Sequence, residues 1–227
     1  MTDPLFTGRR FGAFLFDMDG TILTSIAAAE RVWAAWATRH GLDVPTFLPT
    51  IHGMRAVETI SRLNLPGIDV KAEAEALTLA EMEDLDGVAE ISGAASFLRA
   101  LPADRWAIVT SSPRALALRR LEAAGLPVPP TMVTGEEVIN GKPAPEPFLL
   151  GAQKLGQRPE DCLAFEDAPA GIQSAEAAGM PVLVITATHR HPFEGSHPTT
   201  GGYQSVVVRS GDDGRLSFHL PETAIGG

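Results

Sequence analysis

Apolar and polar positions alternate between two kinds of pattern along this chain. Nearly unbroken apolar runs occur at FGAFLF (11–16), WAIVT (106–110), CLAFE (162–166) and PVLVIT (181–186). Short runs of this kind predict strands buried on both faces, as in a parallel sheet. Helical spacing lies between them. PRALALRRLEAA (113–124) predicts a helix with Ser112 as N-cap, Pro113 at its first position and Gly125 just past its end. PAGIQSAEAA (169–178) also opens on proline and is followed by Gly179. EAAGLPV (122–128) and EAAGMPV (176–182) nearly repeat. Nothing recurs a third time, so this reads as one helix-to-strand turn used twice and not as a solenoid. Strand, helix and strand in alternation predict an α/β fold with a doubly wound, Rossmann-like parallel sheet.

Residues 25–88 break that alternation. IAAAERVWAAWATRH (26–40) places Ile26, Ala29, Val32, Trp33 and Trp36 roughly on one helical face. MRAVETISRL (54–63) and KAEAEALTLAEMEDL (71–85) read as helices too, and no strand-like run intervenes. An all-helical insert over 25–88 is expected, with 1–24 and 89–227 forming a discontinuous sheet-bearing core. Trp33 and Trp36 are assigned to the core of the insert in preference to a sugar-stacking role. Residues 187–203 are polar and rich in Gly, Pro and His, and suggest no element. YQSVVVRSGDDGRLSFHL (203–220) predicts a hairpin around Asp213–Gly214.

Composition narrows the partners. The chain has 227 residues, 44% of them hydrophobic, so a large core is available. The net charge of −10, with no long basic run, argues against nucleic acid and anionic membrane. A lone cysteine, Cys162, cannot form an internal disulfide. No apolar run approaches the roughly 20 residues of a membrane span, and MTDPLFTGRR lacks a leader's apolar stretch. A cytoplasmic, monomeric protein is the expectation.

Four places carry candidate chemistry. Asp17 and Asp19 are two apart at the end of the first apolar run, so in an extended chain both point the same way. Two close carboxylates repel, and one must hold a proton or both must share a cation. They could supply a nucleophile and an acid/base, or an oxygen seat for Mg²⁺. A strand-end pair that merely solvates a loop is an equal reading of D-x-D alone. Thr110, Ser111 and Ser112 join a strand to a helix N-terminus, where hydroxyls and free N–H groups can hold an anion; ordinary capping by Ser112 explains them as well. Lys142, in the Gly/Pro-rich loop NGKPAPEP, can contact a phosphate as a point charge or lie solvated. Glu166 and Asp167 end another apolar run and can complete a cation's oxygen shell, with Asp167 also a helix N-cap.

Taken in order, DMDGT, the Thr110 strand end, GKPAPEPF around Lys142 and FEDAPAG resemble the four motifs of the haloacid dehalogenase superfamily. The insert falls where that family carries its helical cap. RHGL (39–42), IHGMRAVETI (51–60) and FEDAPAGIQSAEAAG resemble its sugar-phosphate and glycerol-phosphate phosphatases. The resemblance implies a phosphatase acting on small phosphate monoesters, sugar or polyol phosphates, with a sugar phosphomutase as the alternative. It implies Asp17 as nucleophile and Asp19 as general acid/base. Mg²⁺ would be held by Asp17, the Asp19 carbonyl and Asp167, with Glu166 ligating directly or through water. Thr110, Ser111 and Lys142 would hold the phosphoryl oxygens. His52, Gly53 and Arg55 of the cap would read the rest of the substrate. Thr24–Ser25 stand where the family often has an acidic residue and Ser/Thr, which alters an expected hinge contact.

Overall fold

A computed structural model of the chain describes residue 6 and residues 8–219. Most of the N-terminal segment read above for a leader, and Leu220 at the end of the predicted hairpin, lie outside the described residues.

The chain enters through β1 (Arg10–Phe11) and β2 (Ala13–Phe16). β3 (Leu23–Thr24) leads into four helices: α1 (Ile26–Arg39), α2 (Val44–Phe47), α3 (Ala56–Leu63) and α4 (Val70–Glu83). β4 (Ala89–Glu90) pairs antiparallel with β3, so the chain leaves the helical segment beside its point of entry. Strands and helices then alternate: α5 (Ala94–Ala100), β5 (Trp106–Val109), α6 (Arg114–Ala123) and β6 (Met132–Val133). They continue with α7 (Glu146–Lys154), β7 (Cys162–Glu166), α8 (Pro169–Ala177), β8 (Val182–Ile185) and β9 (Thr199–Thr200). The predicted hairpin forms as β10 (Val207–Ser210) and β11 (Leu216–His219), and β1 joins it in a small antiparallel sheet.

The main sheet has the order β6-β5-β2-β7-β8-β9 and all its pairings are parallel. β2 lies at the switch point: the chain builds β5 and β6 on one side of it, then β7, β8 and β9 on the other. Phe16 stands opposite Ile108 on β5 and Phe165 on β7. That register brings the carboxyl ends of three strands together, where such sheets bind ligands.

Side chains on β2 alternate between two cores. Phe14 and Phe16 pack with Phe97, Trp106 and Phe165 on one face. Ala13 and Leu15 join Val109, Phe148 and Ile172 on the other. Helices cover both faces, which is why the run is apolar throughout and does not alternate. The inserted helices bury their own cluster of Trp33, Trp36, Phe47, Ile60 and Leu77. β3, β4, β6 and β9 have two residues each, too few for a periodic signal.

One predicted boundary is corrected. Pro113, not Ser112, occupies the N-cap of α6, with φ −60° and ψ 149°, and the Glu136 carboxylate accepts from the Arg114 N–H at 2.9 Å. The Ser112 hydroxyl instead donates to the Asp19 carboxylate at 3.1 Å and accepts from Arg120 Nη1 at 3.3 Å.

Candidate active site

Asp17 continues β2 by one residue, its N–H donating to the Phe165 carbonyl at 2.9 Å. Its side chain is buried, and Oδ1 accepts from Lys142 Nζ at 2.6 Å. The same ammonium donates to Glu166 Oε1 at 2.6 Å and to the Val109 carbonyl at 3.0 Å. Lys142 is only 1% exposed, so the loop lysine of the sequence is a core residue. Burial disfavours its charge, yet the Asp17 and Glu166 carboxylates outweigh that and raise its pKa. Asp17 behaves oppositely. Burial is the leading cause that pushes its carboxyl up to about 7; Lys142 opposes, while Glu166 and Asp19 add to the rise.

Asp17, Glu166 and Asp167 bring carboxylate oxygens within 4.8 Å of one another. Burial, followed by Asp17 and Glu166, raises the Asp167 carboxyl well above its ordinary range. Three acids facing one lysine leave an excess of negative charge that a hard divalent cation with oxygen ligands would relieve, so the donor set fits Mg²⁺. Glu166 has less to give than the other two. Its Oε1 accepts from Lys142, and its Oε2 accepts from the N–H groups of Asp167 and Ala168 at 3.0 and 3.3 Å. Asp167 is not the N-cap of α8. Ala168 takes that place, and the Asp167 carboxylate accepts from the Thr21 hydroxyl at 3.2 Å.

Two glycines make room for this cluster. Gly20 has φ +90°, and a Cβ there would run into the Asp167 carboxylate. A Cβ on Gly171 would run into Glu166. Tyr203 supports the loop from below by donating to the Thr21 carbonyl at 3.0 Å.

Asp19 is not part of the acidic group. Its carboxylate accepts from Ser25 Oγ at 2.6 Å, Ser112 Oγ at 3.1 Å and Arg120 Nη1 at 3.0 Å. Ser25, at the N-cap of α1, thus ties the start of the helical insert to Asp19. Thr110, buried at the end of β5, accepts from the Ser112 N–H at 3.1 Å.

The cap lies against the core. Ser111 Oγ donates to the Gly53 carbonyl at 2.9 Å. His52 and Gly53 line the chamber between the two, together with Asp17, Asp19, Thr110 and Ser111. Burial lowers the His52 pKa, ahead of the opposing pull of Glu30, which lies 3.5 Å away. Arg55 is turned elsewhere. Its guanidinium donates to the carbonyls of Gly135, Val138 and Ile139 at 3.1, 2.9 and 2.7 Å and pairs with Glu58 at 2.5 Å. All these acceptors belong to the loop before Lys142 or to α3, and Arg55 does not line the chamber. Trp36 lies in the cap core as expected, while Trp33 belongs to that core and also lines the chamber.

Ser25, Glu81 and Arg120 were not singled out from sequence as site residues. Arg120 left a trace: four residues after Leu116, it occupies the buried stripe of α6, where a cation is out of place.

A parallel sheet with carboxylates at its switch point and a helical insert after its first strand defines a class of hydrolase. The chain belongs to the haloacid dehalogenase-like hydrolases, whose family pattern it matches over residues 11–179. It is 42% identical over 182 residues to hexitol phosphatase A of Escherichia coli (strain K12), covering 78% of this chain and 84% of that protein. It is 33% identical over 205 residues to glycerol-1-phosphate phosphohydrolase 2 of Saccharomyces cerevisiae, covering 82% and 78%. A HAD hydrolase from Entamoeba histolytica superimposes with a TM-score of 0.73 over 86% of this chain and 95% of the other, at 24% identity, and so shares the fold. No helix among the described residues is long and apolar enough to cross a membrane.

Proposed function

We propose that this chain is a Mg²⁺-dependent phosphatase that hydrolyses small sugar or polyol phosphates through an aspartyl-phosphate intermediate. The observation that carries the reading is the junction of Asp17, Glu166 and Asp167 with buried Lys142 at the strand ends. The names of the relatives, a hexitol phosphatase and a glycerol-1-phosphate phosphohydrolase, supply the substrate class.

Asp17 Oδ attacks phosphorus, and the bond from phosphorus to the ester oxygen breaks. Asp19 gives its proton to the departing alkoxide. Water then attacks the aspartyl phosphate, Asp19 takes the proton, and inorganic phosphate leaves Asp17 free. Held by Ser25, Ser112 and Arg120, the Asp19 carboxylate lines the chamber and serves the ester oxygen from there. Lys142 holds a phosphoryl oxygen and also keeps the Asp17 carboxyl from rising further. Thr110 and the Ser111 N–H hold the others. Asp17, Asp167 and the Asp19 carbonyl would hold Mg²⁺, with Glu166 chiefly anchoring Lys142. The bound cation would offset the repulsion between nucleophile and phosphate, which matters because unassisted phosphate-monoester hydrolysis is so slow.

The test is phosphate release from hexitol, glycerol and hexose phosphates with Mg²⁺, after chelation, and by the Asp17→Asn variant. Release that needs Mg²⁺ and vanishes in Asp17→Asn is expected, because an amide cannot form the acyl phosphate. Full turnover by pure, folded Asp17→Asn protein would refute the covalent route. Conversion of a hexose 1-phosphate to its 6-phosphate without phosphate release would favour the phosphomutase.

A further inference from the structure

Beyond the acid/base, the chamber holds a charge pair to which the hydrolytic steps give no role. Arg120 on α6 is 4% exposed and Glu81 on α4 is 8% exposed. They meet across the junction of core and cap, Arg120 Nη2 donating to Glu81 Oε1 at 3.1 Å. Both line the same chamber as Asp17, Asp19 and Thr110. Arg120 Nη1 donates to Asp19 at 3.0 Å and to Ser112 Oγ at 3.3 Å, while its buried Nε has no partner among the described residues. A buried ion pair is a poor source of stability, since desolvation costs about what the attraction returns. Apolar residues would pack α4 on α6 at least as well, so the pair calls for another explanation.

We propose that Arg120 and Glu81 read the leaving group of the substrate. Arg120 donates to the oxygen on the carbon next to the phosphorylated one, and Glu81 accepts from the hydroxyl one carbon further. The assignment rests on the phosphatase reading above and adds which part of the substrate is recognised, and where. Its basis is the position of Asp19. As general acid, Asp19 must touch the ester oxygen, and Arg120 lies one hydrogen-bond length from Asp19. In a polyol phosphate the oxygen on the adjacent carbon also lies about one hydrogen-bond length from the ester oxygen. A group that neighbours Asp19 on the chamber wall therefore falls beside that second oxygen. The polarity of the pair agrees. Guanidinium can only donate, which suits a hydroxyl or a ring oxygen; carboxylate can only accept, which suits a hydroxyl. Burial, more than any other cause, raises the Glu81 carboxyl, and Arg120 opposes it; a substrate hydroxyl would be a further donor to this dry acid. A leaving group of bare carbon offers neither partner, and sites built on such bonds reject analogues that lack them.

The test measures kcat/KM for propyl phosphate, 2-hydroxypropyl phosphate and glycerol 1-phosphate, a series that adds one hydroxyl at a time. In the wild type each hydroxyl should raise kcat/KM at least about tenfold, the scale of a hydrogen bond to a charged group. Arg120→Met should slow all three substrates, because Arg120 also touches Asp19, but the gain from the first hydroxyl should fall to near one. Glu81→Met should keep the first gain and lose the second. Arg120→Lys should recover part of the first gain. The double variant Arg120→Met/Glu81→Met removes both members of the buried pair and leaves Asp19 its Ser25 and Ser112 donors, should fold where a single variant fails, and should lose both gains. A purely structural pair would lower the three substrates equally, so unchanged ratios in the variants, or equal rates for the three substrates in the wild type, overturn the assignment. Absence of phosphate release from all three by the wild type would instead remove the phosphatase reading, and this assignment with it.

Discussion

Lys142→Met is the perturbation that exposes the electrostatics of the site. Methionine fills most of the lysine volume but provides no cation for Asp17 and Glu166 and no donor for the Val109 carbonyl. Breaking a buried ion pair from one side costs about 3–5 kcal/mol, because the partner charge stays behind. Here two partners stay behind, but protonation limits the damage. With Lys142 present the Asp17 carboxyl already reaches about 7, burial being the main cause and Lys142 the main opponent. Without the lysine it rises further. The unfolded chain loses that proton in the ordinary carboxylate range, near 3.8, whereas the folded variant keeps it above about 7. The folded state thus binds more protons across this window, and stability is lost as pH rises through it. The destabilisation should be about 3–5 kcal/mol at pH 8. It should be smaller by about 1 kcal/mol at pH 5.5, because the wild-type Asp17 also keeps its proton when folded up to about 7 and only the last pH unit separates the two proteins; the unmet Val109 acceptor and altered packing remain at both. The assay is urea unfolding of both proteins at the two pH values in metal-free buffer, repeated with Mg²⁺, which should recover part of the loss at pH 8. An equal loss at both pH values would refute the reasoning, since it would mean that no excess charge is buried there.

Gly20→Ala puts a Cβ into the Asp167 carboxylate at a residue with φ +90°. Strain of about 1–2 kcal/mol is expected from the dihedral alone. The rise in Tm that Mg²⁺ gives the wild type should disappear, and a preserved rise would contradict the placement of the cluster. Arg55→Ala removes the ties from the cap to Gly135, Val138 and Ile139, so kcat/KM should fall by a similar factor for every substrate, with a loss of about 1–3 kcal/mol in stability. A reordered substrate panel would show instead that Arg55 touches the leaving group.

The large features were legible because they depend on local pattern. Strands buried on both faces must be apolar at every position, so the runs ending at Phe16, Val109, Glu166 and Ile185 declared a parallel sheet. Helical spacing over 26–40, 54–63 and 71–85 announced the insert, and Asp17, Asp19, Thr110, Lys142, Glu166 and Asp167 stood out by their joint order along the chain, since each alone also has an ordinary structural explanation. What a side chain touches across the sheet is a different matter. Whether Lys142 is solvated or buried depends on a loop folding back over β2 and β7. Whether Arg55 faces substrate or the carbonyls of residues 135–139 depends on how the cap sits, which no local pattern encodes. Ser25, Ser112 and Arg120 converge on Asp19 from three elements, and Glu81 joins them from a fourth. The residues of that network are 6 to 101 positions apart in sequence: the fold of the core brings Ser112 and Arg120 to Asp19, and the packing of the cap onto the core adds Glu81.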